Sequence, residues 1–145
     1  MIAIGSDHGG FTLKEELKKH LTERGIEFKD YGTFSAESCD YPTYAEKVCS
    51  AVVGGEAEKG ILCCGTGIGM SMAANKIKGI RCACCSDCFS AEMTRRHNDA
   101  NVLALGGRVV GAGLAEKMVD LFLDTPYEGG RHARRVGMIM ELENK

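Results

Sequence analysis

Residues 60–69 read Gly-Ile-Leu-Cys-Cys-Gly-Thr-Gly-Ile-Gly, and this stretch decides the class of fold. Its apolar first half is typical of a buried strand, and the run from Met70 to Lys78 has a helical pattern. A glycine-rich turn therefore joins the end of a strand to the start of a helix. Glycine lets backbone N–H groups approach a ligand closely, and a helix N-terminus favours negative charge. The same position favours the thiolate form of a cysteine, so we expect a thiol beside an anion-binding loop.

The alternation of strand and helix patterns continues on both sides of this stretch. Because apolar strands that alternate with helices form parallel sheets covered on both faces, the sequence predicts an α/β fold. We predict a three-layer α/β/α sandwich with a Rossmann-like five-stranded parallel sheet and a C-terminal helix, in one domain over residues 1–145. The predicted strands are 2–5, 26–31, 60–64, 80–85 and 101–105, and five predicted helices are 11–24, 44–53, 68–78, 111–123 and 130–143. A sixth helix runs to about Arg96, with Ser86-Asp87 as its predicted cap.

Charge and hydropathy exclude several classes of partner. The chain has 145 residues and a formal net charge of −2, which gives no electrostatic footprint for nucleic acid. No apolar run approaches the ~20 residues that span a bilayer, and the N-terminus lacks the features of a secretory signal. We therefore expect no nucleic-acid partner, no membrane association and a cytoplasmic location. The eight cysteines lie mostly in apolar runs, which is typical of buried thiols in a reducing compartment.

A cluster of four cysteines at positions 82, 84, 85 and 88 suggests zinc as an alternative. A structural zinc site needs four converging ligands, and no second cysteine pair or histidine pair completes such a set nearby. We therefore expect these residues to be ordinary thiols and not a metal site.

Two loops at the predicted carboxyl edge of the sheet carry residues suited to chemistry, because open parallel sheets bind ligands at this edge. Asp7 and His8 lie between glycines and could contact sugar hydroxyls or help to open a ring, or Asp7 could simply cap the first helix.

In the glycine loop, a Cys64 thiolate could accept a proton or attack an electrophile, with Thr66 donating to the sulfur or the ligand. The N–H groups of residues 65–69 could stabilise an oxyanion. Alternatively, the loop is a structural turn with a buried cysteine. Strand alternation points Cys63 toward the core.

Basic residues further along the chain suggest an anionic ligand. His97 follows Arg95-Arg96 at the end of a predicted helix and could act as an acid toward a sugar ring oxygen, or could only help to terminate the helix. Arg131 and Arg135 are spaced to share one helix face, a pattern that suits a phosphate group. Arg108 follows a predicted strand at the ligand edge and is a further phosphate or carboxylate candidate. The alternative for the arginines is a solvated basic surface.

The glycine loop is also an incomplete dinucleotide fingerprint. Met70 stands where the third glycine would be. Asp87 lies about 20 residues beyond Gly67, where an acidic residue would bind a ribose. A non-catalytic nucleotide-binding module is therefore an alternative to an enzyme.

Motifs spread over the whole chain resemble the ribose-5-phosphate isomerase B / galactose-6-phosphate isomerase family of sugar-phosphate isomerases. Each motif alone is short, but the set covers essentially all of the sequence. The motifs are residues 5–11, 40–42, 64–69, 73–76, 97–101, 107–109 and 127–132.

The resemblance implies a role for most of the residues singled out above. Cys64 would carry a proton between C1 and C2 of the sugar, His97 would open the furanose ring, and Thr66 would assist catalysis. Some members use a glutamate after the glycine loop, but Met70-Ser71 stands here, so the chain resembles the cysteine type. The implied substrate contacts are Asp7, His8, Tyr41, Gly65, Thr66, Gly67, Ile68, Gly69, Asn98, Arg108, Arg131 and Arg135, with the arginines on the phosphate.

The resemblance also implies an activity and an assembly. The expected reaction is the aldose–ketose isomerisation of ribose 5-phosphate and ribulose 5-phosphate, in the pentose phosphate pathway, without metal or cofactor. The expected assembly is a homodimer or homotetramer whose active site takes residues from two subunits. Allose 6-phosphate and galactose 6-phosphate are alternative substrates. In the galactose 6-phosphate enzymes of the family that this chain resembles, two different subunits divide the catalytic residues between them. This chain has both Cys64 and His97, which favours ribose 5-phosphate.

Overall fold

In the computed structural model, which describes residues 1–145, five strands form one parallel sheet. The order across the sheet is β2-β1-β3-β5-β4. The strands are β1 (Ile2–Ser6), β2 (Phe28–Asp30), β3 (Lys59–Cys64), β4 (Cys82–Cys84) and β5 (Val102–Gly106). The helices are α1 (Phe11–Glu23), α2 (Tyr41–Val53), α3 (Ile68–Ala74), α4 (Cys88–Asn98), α5 (Ala112–Asp124) and α6 (Arg131–Glu141), and a 3₁₀ turn (Leu142–Asn144) follows. The predicted α/β class and five-stranded parallel sheet are confirmed.

Apolar side chains cover both faces of the sheet. On one face, α1, α4 and α5 contribute a core that includes Leu17, Ala91 and Phe122. On the other face, α2 and α3 contribute a second core that includes Val48 and Met70. The helices therefore form two outer layers around the sheet, as predicted for an α/β/α sandwich.

The order of the strands places a crevice between β1 and β3. The chain passes from β1 to β2 on one side and later adds β3 on the other side, so the loops after β1 and β3 diverge to opposite faces. Ser6 is in register with Cys63, and the Asp7 N–H donates to the Cys63 carbonyl at 3.2 Å. The two loops with predicted chemistry therefore start side by side.

The two largest differences from the predicted helix boundaries, in α3 and α2, have local reasons. Helix α3 ends at Ala74 instead of continuing to Lys78, because the Asn75 side chain bonds the backbone of Cys82. The Asn75 Nδ2 donates to the Cys82 carbonyl at 3.0 Å, and its Oδ1 accepts the Cys82 N–H at 2.8 Å. Helix α2 begins at Tyr41 instead of Tyr44, and Pro42 fits its first turn, where no N–H donor is needed.

Helix α6 packs on the rest of the chain less than any other helix. It has no buried residue. Met138 and Ile139 near its end, and Leu142 in the 3₁₀ turn that follows, are about half exposed or more, with Leu142 the most exposed at 63%. The end of the chain therefore presents apolar side chains to solvent. No helix, α6 included, has the length and apolar character that would let it cross a membrane.

Candidate functional site

Cys64 lies at the carboxyl end of β3 with its sulfur against the glycine loop. Its side chain is buried, and Sγ accepts the Gly67 N–H at 3.0 Å. The sequence left open whether the Thr66 hydroxyl donates to this sulfur or to a ligand. In the structure, Thr66 Oγ1 accepts the Ile68 N–H at 3.2 Å, and the Gly67 N–H is the donor to the sulfur. The sulfur therefore lies against a backbone N–H donor just before the start of α3.

The loop follows the end of β5 so closely that only glycine fits at two positions. Gly67 has φ +84°, and a Cβ there would lie 3.0 Å from the Leu105 backbone. A Cβ on Gly106 would lie 2.7 Å from the Thr66 backbone. Glycine at these two positions therefore allows the loop to pass close to the end of β5.

Four backbone donors of this loop have no hydrogen-bond partner within the chain. They are the N–H groups of Gly65, Thr66, Gly69 and Met70. The sequence led us to expect all N–H groups of residues 65–69 to face a ligand, but those of Gly67 and Ile68 have partners within the loop. An oxyanion beside the Cys64 sulfur could accept from the unpaired donors.

Burial keeps several other thiols protonated. Burial raises the pKa of the Cys63 thiol, raises that of Cys85 to about 11 and raises that of Cys49 to about 12. These groups stay neutral at physiological pH and cannot serve as a base. Burial also raises the pKa values of Cys82 and Cys84, and neither belongs to a group of converging metal ligands.

Three more predicted residues surround the glycine loop. Asp7 is buried and its Oδ1 accepts the Gly10 N–H at 3.0 Å, so it bonds the turn before α1 and does not cap the helix, whose N-cap residue is Gly10. His8 Nδ1 accepts the Cys39 N–H at 3.2 Å, so the neutral ring carries its proton on Nε2. The Tyr41 ring lies against Gly69, where a Cβ would be 2.7 Å from it. The contact from Cys39 was missed at the sequence level, since a backbone donor leaves no side-chain signature.

Arg108 completes this group of residues. Its N–H donates to the Gly65 carbonyl at 3.0 Å, and its guanidinium packs 3.3 Å from the position of a Gly65 Cβ. We call the residues at this edge the carboxyl-edge group: Asp7, His8, Tyr41, Cys64, Gly65, Thr66, Gly67, Ile68, Gly69 and Arg108.

The structure places His97 and Asn98 at the opposite edge of the sheet. Helix α4 starts after the carboxyl end of β4 and returns to the amino end of β5, so its last turn lies at the amino edge. Strand β3 separates the two edges by about 17 Å, at ~3.3 Å per residue. The residue patterns alone did not predict this separation of His97 from Cys64 within one chain, whereas the family resemblance implies a site that takes residues from two subunits.

Arg131 and Arg135 lie on α6, whose start is next to His97. The Glu128 N–H donates to the Arg96 carbonyl at 3.1 Å, and the His132 ring stacks on the His97 ring at a centroid distance of 4.4 Å. We call His97, Asn98, Arg131 and Arg135 the amino-edge group. The predicted site residues therefore fall into two groups, and one chain does not bring them together.

The amino-edge group suits an anion better than a metal ion. His97, Glu128 and His132 place possible ligand atoms within 4.8 Å of one another. The two imidazole planes are inclined by only 19°, so their in-plane lone pairs do not converge on one point. Arg131 and Arg135 add positive charge, which disfavours a cation and favours a phosphate.

The fold is an α/β sandwich with a thiol and unpaired backbone donors at the carboxyl edge of a parallel sheet. These are the features of a class of protein that holds small anionic ligands at this edge. A model of the family described as Ribose/Galactose Isomerase matches residues 2–139. The chain belongs to this family, and the predicted family resemblance is confirmed.

Individual relatives agree with this membership. The chain is 56% identical over 144 residues to Ribose-5-phosphate isomerase B of Escherichia coli (strain K12), which covers 99% of this chain and 97% of the relative. The structure of Ribose-5-Phosphate Isomerase B of Clostridium thermocellum is 55% identical, with a TM-score of 0.97 and coverage of 99% and 97%. That of Ribose-5-phosphate Isomerase B of Mycoplasma genitalium, with bound ribulose-5-phosphate, is 40% identical, with a TM-score of 0.94 and coverage of 99% and 96%.

Proposed function

We propose that this chain is an aldose–ketose isomerase that interconverts ribose 5-phosphate and ribulose 5-phosphate through a cis-enediolate. One observation carries the proposal: the Cys64 sulfur lies in a loop that also offers the unpaired N–H groups of Gly65, Thr66, Gly69 and Met70. This isomerisation moves one proton between adjacent carbons and develops negative charge on an oxygen between the two steps. It therefore needs a proton carrier and hydrogen-bond donors at one place. The similarity to ribose-5-phosphate isomerase B proteins supports the choice of substrate.

The reaction at the carboxyl edge proceeds by proton transfers alone. The Cys64 thiolate removes the proton from C2 of the open-chain aldose, and the electron pair forms the C1–C2 double bond while O1 becomes negative. The unpaired N–H groups stabilise O1, and loss of one such donor typically costs ~2.7–4 kcal/mol of transition-state stabilisation. Cys64 then returns its proton to C1, and the C2 hydroxyl proton passes to O1 to give the ketose. Cys64 is therefore a proton carrier and forms no covalent bond to the sugar.

The remaining roles divide between the two groups of residues. In the carboxyl-edge group, Thr66 assists catalysis, and Asp7, His8, Tyr41 and the loop from Gly65 to Gly69 contact the sugar. In the amino-edge group, His97 opens the furanose ring and Asn98 contacts the ligand. Arg131 and Arg135, together with Arg108, bind the phosphate.

A complete site then requires two copies of the chain. Because the two groups lie at opposite edges of one sheet, we propose that the carboxyl-edge group of one subunit meets the amino-edge group of another, in a homodimer or homotetramer. The exposed apolar residues Met138 and Ile139 of α6, and Leu142 of the 3₁₀ turn, supply surface for such a contact. We further propose that residues 1–145 act as one domain, without metal or cofactor, in the cytoplasm, where eight free thiols are stable.

A comparison of substrates tests the proposal directly. We would measure kcat/KM of the purified chain on ribose 5-phosphate, allose 6-phosphate and galactose 6-phosphate, with Cys64→Ala as the background control. We expect the highest value on ribose 5-phosphate. A preference for a hexose phosphate would replace the substrate but keep the reaction. Tight nucleotide binding with no turnover of any sugar phosphate would overturn the isomerase and support a nucleotide-binding module.

A further inference from the structure

Two side chains outside the proposed reaction enclose the His97 imidazole. His132 stacks on one face of the ring, with centroids 4.4 Å apart and planes inclined by 19°. The Glu128 Oε2 lies 4.0 Å from the His97 Nε2. The His97 side chain is 41% exposed, so these contacts are a large part of what restrains it.

The backbone that carries these two side chains is itself fixed to α4. The Glu128 N–H donates to the Arg96 carbonyl at 3.1 Å, and the Arg95 Nε donates to the Thr125 carbonyl at 3.4 Å. The His132 N–H donates to the Gly129 carbonyl at 3.0 Å, which closes the turn that leads into α6. The segment between α5 and α6 is therefore anchored at the residues that precede His97.

We propose that His132 is a positioning residue, which stacks on His97 and holds its ring in the orientation needed to open the furanose. This inference rests on the proposed function, in which His97 is the ring-opening acid. A half-exposed imidazole otherwise samples several rotamers, and each rotation moves its nitrogens away from the ring oxygen. A stacked aromatic pair favours one orientation, and the Glu128 carboxylate lies 4.0 Å from Nε2 on one side of the ring.

This role affects only one part of the reaction. Ribose 5-phosphate is mainly a closed furanose and needs ring opening before its C2 proton can be removed. Ribulose 5-phosphate is acyclic, because its O5 carries the phosphate and cannot close a ring on C2. Removal of its C1 proton by Cys64 therefore needs no ring opening, and His132 should not affect it.

The test compares three substitutions of His132 in two assays. His132→Ala removes the ring, His132→Leu keeps a similar volume without a flat face, and His132→Phe keeps the flat face. One assay measures kcat/KM for ribose 5-phosphate. The other follows incorporation of deuterium at C1 of ribulose 5-phosphate in D₂O by NMR. We expect His132→Ala and His132→Leu to lower kcat/KM for ribose 5-phosphate about fivefold and to change the rate of deuterium incorporation less than twofold. His132→Phe should restore kcat/KM for ribose 5-phosphate.

Other results would overturn the positioning role. Unchanged ribose turnover in His132→Ala or His132→Leu would show that the stack is not needed. A parallel fall of both rates would indicate that His132 contacts the substrate, and a His132→Phe variant as slow as His132→Leu would exclude stacking as the cause. Thermal unfolding of each variant shows whether it folds. If His132→Ala does not fold, the comparison of His132→Leu with His132→Phe still tests the stacking. His97→Asn tests the underlying function separately: if it leaves ribose turnover unchanged, the role of His97 itself fails.

Discussion

Cys63 and Cys64 are neighbours in β3 with opposite surroundings. The Cys63 side chain enters the core beneath α1 and α5, and burial raises its pKa, so it remains a neutral thiol. The Cys64 side chain turns to the other face, where its sulfur accepts the Gly67 N–H. The alternation of side chains along a strand thus gives two identical residues different chemistry.

This pair provides a matched test of the proton carrier. We expect Cys64→Ala to lower kcat for ribose 5-phosphate by about 100-fold or more, because a positioned general base typically contributes 10²–10⁴-fold. Cys63→Ala should keep turnover within about twofold and lower the free energy of unfolding by about 1–2 kcal/mol, since it removes packing from a core. Steady-state kinetics and chemical denaturation measure both effects. Near-normal turnover in Cys64→Ala would remove it from the mechanism.

The proposed role of His97 predicts a dependence on the form of the substrate. We expect His97→Asn to lower turnover of ribose 5-phosphate by about 100-fold, because general acid catalysis of ring opening is lost. The same variant should lose far less activity on D-erythrose 4-phosphate, whose O4 carries the phosphate and cannot close a furanose. The ratio of kcat/KM on the two aldoses is the measurement, and equal losses on both would argue against ring opening.

Adjacent arginines on α6 provide a control for phosphate binding. We expect Arg135→Ala to raise KM for ribose 5-phosphate about tenfold with a small change in kcat, because a charged hydrogen bond to the phosphate is lost. Arg134→Ala removes the same charge from a neighbouring position that is not assigned to the site, and should leave KM within about twofold. If KM rises equally in both variants, the effect is general electrostatics and not a specific contact.

At the scale of secondary-structure elements, a buried lysine connects α1 to the segment that precedes α2. The Lys14 side chain has no exposed surface, and its Nζ donates to both carboxylate oxygens of Asp30, at 2.8 and 2.9 Å, and to the Thr33 carbonyl. The segment held in this way leads to Cys39, which bonds His8, and to Tyr41 at the glycine loop. An ion pair between α1 and β2 therefore helps to hold one side of the carboxyl-edge group.

The same ion pair predicts how stability depends on pH. Burial alone would raise the pKa of Asp30, but hydrogen bonds from Lys14 and Lys18 outweigh burial and hold it below its usual value. Folding is therefore favoured by ionised Asp30 above about pH 4, and this contribution is lost as pH falls through the lower folded pKa. We expect the free energy of unfolding to fall more steeply from about pH 5 to pH 2.5 in the native chain than in Asp30→Asn.

The cost of the substitution at neutral pH gives a second measurement of this ion pair. Asp30→Asn leaves the Lys14 charge buried without its partner and should lower the free energy of unfolding by about 3 kcal/mol or more. Asp124→Asn is the control, because Asp124 pairs with Arg24 at the surface and should cost less than about 1 kcal/mol. Similar costs for both variants, or the same pH slope with and without Asp30, would contradict the role of burial.

Local patterns in the sequence were sufficient to identify the elements but not all of their ends or their order. Asp87 was predicted to cap a helix, and it accepts the Ser90 N–H at 2.7 Å at the start of α4. The end of α3 was missed because the Asn75 side chain bonds Cys82, and no helix propensity encodes such a contact. The position of β5 between β3 and β4 was also not predictable, since two apolar runs carry no information about which neighbour each will pair with.

The sequence predicted which loops meet at the carboxyl edge of the sheet, but not every contact at the amino edge. The loops of Asp7 and Cys64 were expected to meet because both follow parallel strands, and they do. The location of His97 also follows from topology, since a helix after one parallel strand returns to the start of the next. The stacking of His132 on His97 could not be predicted, because it depends on how α6 approaches α4.

At the scale of the whole molecule, the two groups of site residues predict complementation between inactive variants. In a Cys64→Ala subunit paired with a His97→Asn subunit, a shared site would combine one intact Cys64 with one intact His97. Random pairing in a dimer would make half of the dimers mixed, each with one intact site of two, and would restore about a quarter of native activity. The measurement is turnover before and after unfolding and refolding the two variants together.

Two results would contradict this arrangement. Activity that stays at the level of the separate variants, although mass spectrometry of the intact assembly detects mixed dimers, would indicate that each chain uses its own His97. Refolded mixtures of two Cys64→Ala preparations are the control and should remain inactive. A native chain that is active as a monomer at high dilution would also exclude a shared site.

The separation of the two groups has a consequence for how the protein distinguishes sugars. The thiol and the unpaired N–H groups act on C1, C2 and O1, which every aldose shares, so these groups do not recognise the length of the sugar. In the proposed site, Arg108 of the same subunit and the α6 arginines of the other subunit together hold the phosphate. The spacing between the subunits then helps to set the number of carbons between the phosphate and the reacting end. We expect a change of quaternary packing, with every residue of both groups retained, to change the relative rates on a pentose phosphate and a hexose phosphate.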